Sequence, residues 1–191
     1  MGLPKSEHPV ARRQSGAARS SRVFKHGSTL SIRRNCQKGR LVLRPDAVPE
    51  ATRHLCEMVA LDEGAERTWL ENDIADLAAR FAELMHAPYL RLRLDVINTN
   101  ACRKFHIDAI FAQLICTYRG TGTQYGISTD GEDPKRIFTV ATGSPMVMRG
   151  TQWPQKPPLG LLHRSPTIAG TGETRLVLVF DPIFDIEEEK E

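Results

Sequence analysis

At Pro88 the hydrophobic period of the chain changes, and that change limits the folds open to it. Ahead of it, Leu70, Ile74, Leu77, Ala78, Phe81 and Leu84 recur at spacings of three and four. That is the stripe of a helix buried along one face, and it predicts a helix from about Thr68 to Met85. Behind it, Leu90, Leu92, Leu94 and Val96 alternate with Arg91, Arg93, Asp95 and Ile97. Alternation with period two is the pattern of a half-buried strand.

The flanking segments extend the same division. Pro45-Asp46 and Pro49 open a helix expected from about Ala47 to Ala60, with Ala51, Leu55, Met58 and Val59 on one face. Asp62-Glu63-Gly64 breaks it. His86, at the end of the longer helix, is placed to cap it. Leu41-Val42-Leu43 reads as a strand, and further strands are expected at 112–118, 137–140, 145–148, 161–163 and 174–180. Gly and Pro punctuate them. Helices followed by about six to eight short strands give an α+β, mainly β layout, not an alternating βαβ one. No Gly-x-Gly-x-x-Gly follows a strand and no Gly-x-x-x-x-Gly-Lys-Ser/Thr occurs, so a doubly wound nucleotide fold is disfavoured. The spacing fits a double-stranded β-helix (jelly roll) core with two N-terminal supporting helices.

Charge divides the chain into three parts. Residues 1–44 hold eleven Lys and Arg against one acid, Glu7, a charge of about +10. With +3 overall, the remainder carries about −7. The expected organisation is a basic arm over 1–40 lacking regular structure, a metal-binding domain over 41–182 and an acidic tail over 183–191. The arm suits polyanion contact, organelle targeting or plain solvation. The cysteines, Cys36, Cys56, Cys102 and Cys116, form no Cys-x-x-Cys pair. Reduced thiols in a cytoplasmic protein are expected. No apolar run approaches the roughly 20 residues of a membrane helix, and no apolar leader opens the chain.

The chemistry concentrates between Asn98 and Phe180. His106 and Asp108 are two apart, so on extended backbone both side chains point the same way. His163 follows Asp108 by 55 positions, where a strand meets a turn, and Arg175 follows His163 by 12. Two imidazoles and one carboxylate suit non-haem Fe(II) with positions left open. Arg175 opens the apolar run Thr174–Phe180. There it either faces solvent, pairs with Asp108, Glu173 or Asp181, or holds an anion by its planar fork. Cys102, four residues before His106, is either a buried spectator or a fourth ligand, and a filled fourth position favours zinc. Cys116 reads as a small core residue, Trp153 as packing at a turn, and His54 as exposed.

His-x-Asp, a distal His and a later Arg resemble the Fe(II)- and 2-oxoglutarate-dependent dioxygenases. His163-Arg164-Ser165-Pro166-Thr167-Ile168, with Gly170, Gly172 and Arg175 after it, is similar to their prolyl-hydroxylase-like branch. So is Cys116-Thr117-Tyr118 ahead of Gly120-Thr121-Gly122-Thr123. The chain also resembles a bacterial family, domain of unknown function 1826, over roughly Leu41 to Pro182. The residues that carry this are Asn98 to Asp108, Leu114 to Gly120, His163 to Pro166 and Gly172 to Leu176. The dioxygenase resemblance implies iron on His106, Asp108 and His163. It implies Arg175 on the distal carboxylate of 2-oxoglutarate, with Tyr118 or Thr174 as second donor. The substrate would be a small molecule or a protein. Two other readings stand beside it. One is a non-catalytic zinc-binding protein linked to metal homeostasis, using Cys102, His106, Asp108 and His163. The other is an inactive jelly-roll binding module whose arm grips a polyanion.

Overall fold

The computed structural model describes residues 40–58, 61–154 and 160–187. The basic arm up to residue 39, Val59, Ala60 and the last four residues of the acidic tail lie outside the described residues. Strand β1 (Leu41–Leu43) leads through a 3-10 turn (Pro45–Ala47) into helices α1 (Val48–Met58) and α2 (Ala65–Met85). The strands are β2 (Tyr89–Ile97), β3 (Ala112–Arg119), β4 (Gln124–Ile127), β5 (Phe138–Thr139), β6 (Pro145–Arg149), β7 (Leu161–Arg164) and β8 (Arg175–Ile183). They form a five-stranded sheet, β1-β2-β8-β3-β6, and a three-stranded sheet, β5-β4-β7. Every pairing is antiparallel.

The larger sheet is covered on both faces. Leu90, Leu92 and Leu94 of β2, Leu114 and Cys116 of β3, and Leu176, Leu178 and Phe180 of β8 pack with the helices in the main core. The opposite face contributes Ile115, Val177 and Val179 to a second cluster, joined by Leu161 of the smaller sheet. Mainly β architecture with two helices on one side is therefore observed. β8 is buried along its whole length because it runs between β2 and β3. It extends past Pro182 to Ile183, beyond the expected end. Pro182 is paired with Leu90 but lies past the last β3 partner of β8, so its missing N–H costs that ladder nothing.

The helices differ from expectation in their faces. α2 buries Leu70, Ile74, Leu77, Ala78, Phe81 and Ala82, and the stripe continues to Met85. Leu84 is 60% exposed because it lies about 100° around the helix from Met85. α1 buries Val48, Thr52, Leu55 and Cys56, leaving Met58 52% exposed. Arg67 ties the two helices together. It donates to Glu71 at 2.7 Å, Arg53 O at 3.2 Å and Leu61 O at 3.3 Å. Burial beside Glu71 pushes the Cys56 thiol up to about 11. His86 caps α2 in the left-handed region at φ 52°, its N–H meeting the Ala82 and Glu83 carbonyls. Strand β4 was not expected. Its four residues hold one glycine and lie between two polar turns, too short to show a period. No helix among the described residues is long and apolar enough to cross a membrane.

Phe81→Ala should cost about 3–5 kcal/mol, the range for emptying a buried aromatic site, whereas Leu84→Ala should cost under about 1 kcal/mol. Urea denaturation of both variants checks this.

Candidate metal centre

His163 lies on β7, opposite Tyr125 of β4 on one side and opposite His106 on the other. The two histidines exchange both backbone hydrogen bonds, His106 N–H to His163 O and His163 N–H to His106 O, each 3.0 Å. Residues directly opposite across an antiparallel bridge project to the same side. The rings accordingly stand 4.4 Å apart between centroids. Asp108, two positions on, presents Oδ1 to His106 Nε2 and Oδ2 to His163 Nε2, both at 3.3 Å. The three donor groups offer atoms within 4.8 Å of one another.

Two further features set this geometry. Thr151 N–H donates to Asp108 O at 3.0 Å, Gln152 N–H to Ile110 O at 3.1 Å and Gly150 N–H to Phe111 O at 2.9 Å. The strip after β6 thus pins the segment that carries the carboxylate. A Cβ at Gly150 would overlap the Ile110 carbonyl oxygen, so only glycine permits this approach. His106 Nδ1 lies 2.8 Å from Lys104 O, which can only accept. Nδ1 therefore donates to that carbonyl, and Nε2 is the nitrogen left to face the carboxylate or a metal ion. Two imidazole nitrogens converging on one carboxylate are a donor set able to share one cation. His163's hydrogen bond, then its charge and those of His106 and Arg93, hold the Asp108 carboxyl below the usual range, against the effect of burial.

The donors line a cavity of about 460 Å³ whose wall is the second face of the large sheet. Arg175, 1% exposed, lies in the same wall. Its Nε donates to Thr121 O at 2.7 Å, Nη1 to Ser165 Oγ at 3.2 Å and Nη2 to Thr117 Oγ1 at 3.3 Å. All three acceptors are neutral. The carboxylates that could have neutralised it are engaged elsewhere. Asp108 faces the histidines, Glu173 is held by the N–H and hydroxyl of Thr121, and Asp181 takes Arg91 and Gln113. Burial lowers the Arg175 pKa, opposed by the charge of Glu173. A buried cation without a directly paired anion is costly, by several kcal/mol.

Three sequence-level expectations do not meet this geometry. Tyr118 sits on the helix-facing side of β3, with Ala112, Leu114 and Cys116. Its hydroxyl donates to Asp73 at 2.7 Å and its ring meets Trp69 edge-on at 5.9 Å. Burial, with Cys116 and Asp73 adding, pushes its phenol far up. Strand alternation turns the neighbouring Thr117 to the opposite face, where it meets Arg175. Thr174 precedes β8 and is not among the residues lining the cavity. Cys102 lines the cavity but is exposed, in a left-handed turn at φ 54°, and its thiol is not among the converging donors. Its backbone carbonyl instead accepts the Ser165 N–H at 3.0 Å.

Sequence reasoning missed the Arg175 partner Thr117 and the cavity residues Ser165, Arg91, Arg93 and Gln113, with Asp181 beside them on the wall. The available signal was Asp181 itself, an acid continuing an apolar run, together with two arginines on the polar side of β2.

The model of Protein of unknown function (DUF1826) matches residues 7–181. This chain belongs to that family. No curated protein matches it by sequence. Among solved structures it is similar to the dioxygenase for auxin oxidation 1 from Arabidopsis thaliana in its 2-oxoglutarate complex, at 14% identity and TM-score 0.45. That match covers 78% of this chain and 63% of the plant protein. The rice dioxygenase for auxin oxidation gives 12%, 0.46, 78% and 60% for the same quantities. A Pseudomonas putida prolyl-4-hydroxylase gives 13%, 0.38, 78% and 89%. The chain thus spans under two thirds of either plant enzyme. Likeness at these scores carries no functional assignment, which must come from the geometry of the DUF1826 site.

Cobalt(II) titration checks the ligand set. His163→Ala should weaken binding more than the 10–100-fold that loss of an outer partner typically costs, about 100-fold or beyond. Cys102→Ser should stay within about twofold, because its thiol is outside the donor set.

Proposed function

We propose that this protein is an Fe(II)- and 2-oxoglutarate-dependent oxygenase built on a double-stranded β-helix. The observation that carries the reading is one cavity holding both His106, Asp108 and His163 and the buried, anion-less Arg175. Two imidazoles and a carboxylate on one side of a site leave coordination positions open, the donor set suited to non-haem iron. A structural zinc site is normally closed by four ligands, and among the described residues three converge.

Iron and 2-oxoglutarate, when bound, supply oxidative decarboxylation of the keto acid and the oxidising power to functionalise a C–H bond. The chain's own residues bind and orient. His106 and His163 present Nε2, with the His106 tautomer set by Lys104 O. Asp108 supplies negative charge, kept ionised by the histidines. Arg175 receives the far carboxylate of the keto acid, and that ion pair would offset the cost of burying its cation. Thr117, Thr121 and Ser165 fix the plane of its guanidinium. Val177 and Val179 give the cavity wall an apolar lining.

With Fe(II), ascorbate and oxygen the protein should convert 2-oxoglutarate to succinate, and His106→Ala should abolish this. Arg175→Gln should weaken 2-oxoglutarate binding by about 10- to 150-fold, since a hydrogen bond to a charged group contributes about 1.5–3 kcal/mol. Tyr118→Phe, on the other face of β3, should leave that affinity within about twofold. A wild-type protein that neither binds 2-oxoglutarate nor forms succinate would sink the reading.

A further inference from the structure

Arg93 projects from β2 into the same cavity, two residues from Arg91 along the strand. Its side chain is 23% exposed. Among the described residues it donates no hydrogen bond. The carboxylate it approaches within ion-pair reach is Asp181, at 3.6 Å from Nη2, and its Nε is buried without a partner. Asp181 is already served by Gln113 Nε2 at 2.8 Å and Arg91 Nη1 at 3.2 Å. A guanidinium carries five N–H donors in a fixed fork that matches the oxygens of a carboxylate or phosphate. This fork is held against the sheet with its donors unspent.

Position separates Arg93 from the co-substrate cation. Arg93 is paired across the ladder with Val179, four residues along β8 from Arg175. At about 3.3 Å per residue the two backbone positions stand about 13 Å apart along the sheet, and the Arg175 guanidinium is held at its own end by Thr121, Ser165 and Thr117. Five arginines and three aspartates line the cavity, and one of those aspartates is the candidate metal ligand. The remaining field favours anions, and low-dielectric walls focus it.

We infer that Arg93 anchors the primary substrate, and that this substrate bears an oxyanion, a carboxylate or a phosphate group, distinct from 2-oxoglutarate. The inference rests on the oxygenase reading for the word substrate. The anion site itself does not. Anion binding at Arg93 would satisfy its donors and hold an acidic substrate along the wall, with its remote carbon directed toward the open side of the donor set.

Acetate and inorganic phosphate, titrated separately by calorimetry into the full chain with and without saturating 2-oxoglutarate, which keeps the Arg175 position occupied, test the two oxyanion sources. With 2-oxoglutarate present, at least one should bind with one-to-one stoichiometry. Arg93→Gln should weaken that binding at least 10-fold, the Arg175→Gln protein should retain one anion site with affinity within 3-fold, and saturating 2-oxoglutarate should not displace the anion from it. Should Arg93→Gln fail to fold, Arg93→Lys keeps the charge without the fork and should weaken binding 3- to 10-fold. Neither anion binding wild type, binding that survives the Arg93 substitutions, or displacement by 2-oxoglutarate would each overturn the inference. Arg93-dependent anion binding in a protein that ignores 2-oxoglutarate would instead retain the anion site and remove the oxygenase reading.

Discussion

One pair of backbone hydrogen bonds closes the site. His106 and His163 come from segments far apart in sequence, and what brings their rings together is the antiparallel bridge between them. A hydrogen-bonded pair in an antiparallel ladder fixes both separation and side, so the two imidazoles need no other device to share a face. Asp108 then follows from strand geometry, two positions beyond His106 and turned the same way. Slip the bridge by one residue and the rings would part to opposite sides. The glycine-mediated approach of residues 150–152 to the Asp108 segment, and the Asn100 side chain accepting the N–H groups of Ile168 and Ala169, hold the loops that keep that register.

The sheet behind the bridge divides its labour by face. β8 places Leu176, Leu178 and Phe180 against the helices and Arg175, Val177, Val179 and Asp181 against the cavity. The helices hold the sheet from behind and contribute nothing to the donor set. The cavity face carries the cost: buried Arg175 has neutral acceptors alone, and Arg93 is scarcely paired. Departures from good internal pairing are expected where a protein keeps donors for a ligand. Both cations fall on one wall of one cavity, and the metal donors open onto the same space.

Much of this is legible in the sequence itself. Period alone placed α2 and β2, and the i, i+2 spacing of His106 and Asp108 was enough to set them on one side. Choosing His163 and Arg175 needed their order along the chain and the family resemblance. Other features depended on facts that spacing does not carry. Tyr118 and Thr117 are neighbours on β3, and choosing between them requires knowing which face meets the helices. Cys102 is close to His106 in sequence, but a left-handed turn takes it out of the donor set. Arg91 and Arg93 read as the polar half of a half-buried strand because period shows that a face is polar, without showing that a second sheet covers it. Leu84 was misplaced for a related reason: a spacing of three drifts off a helical stripe that a spacing of four would have kept.

The central claim is that the histidine pair, Asp108 and Arg175 form one site for a metal and a keto acid. Visible absorption of the anaerobic protein with Fe(II) and 2-oxoglutarate tests it most directly. A weak charge-transfer band should appear only when metal and keto acid are both present, and should vanish in His106→Ala. Absence of the band in the wild-type protein, or a band that persists without His106, would contradict the account.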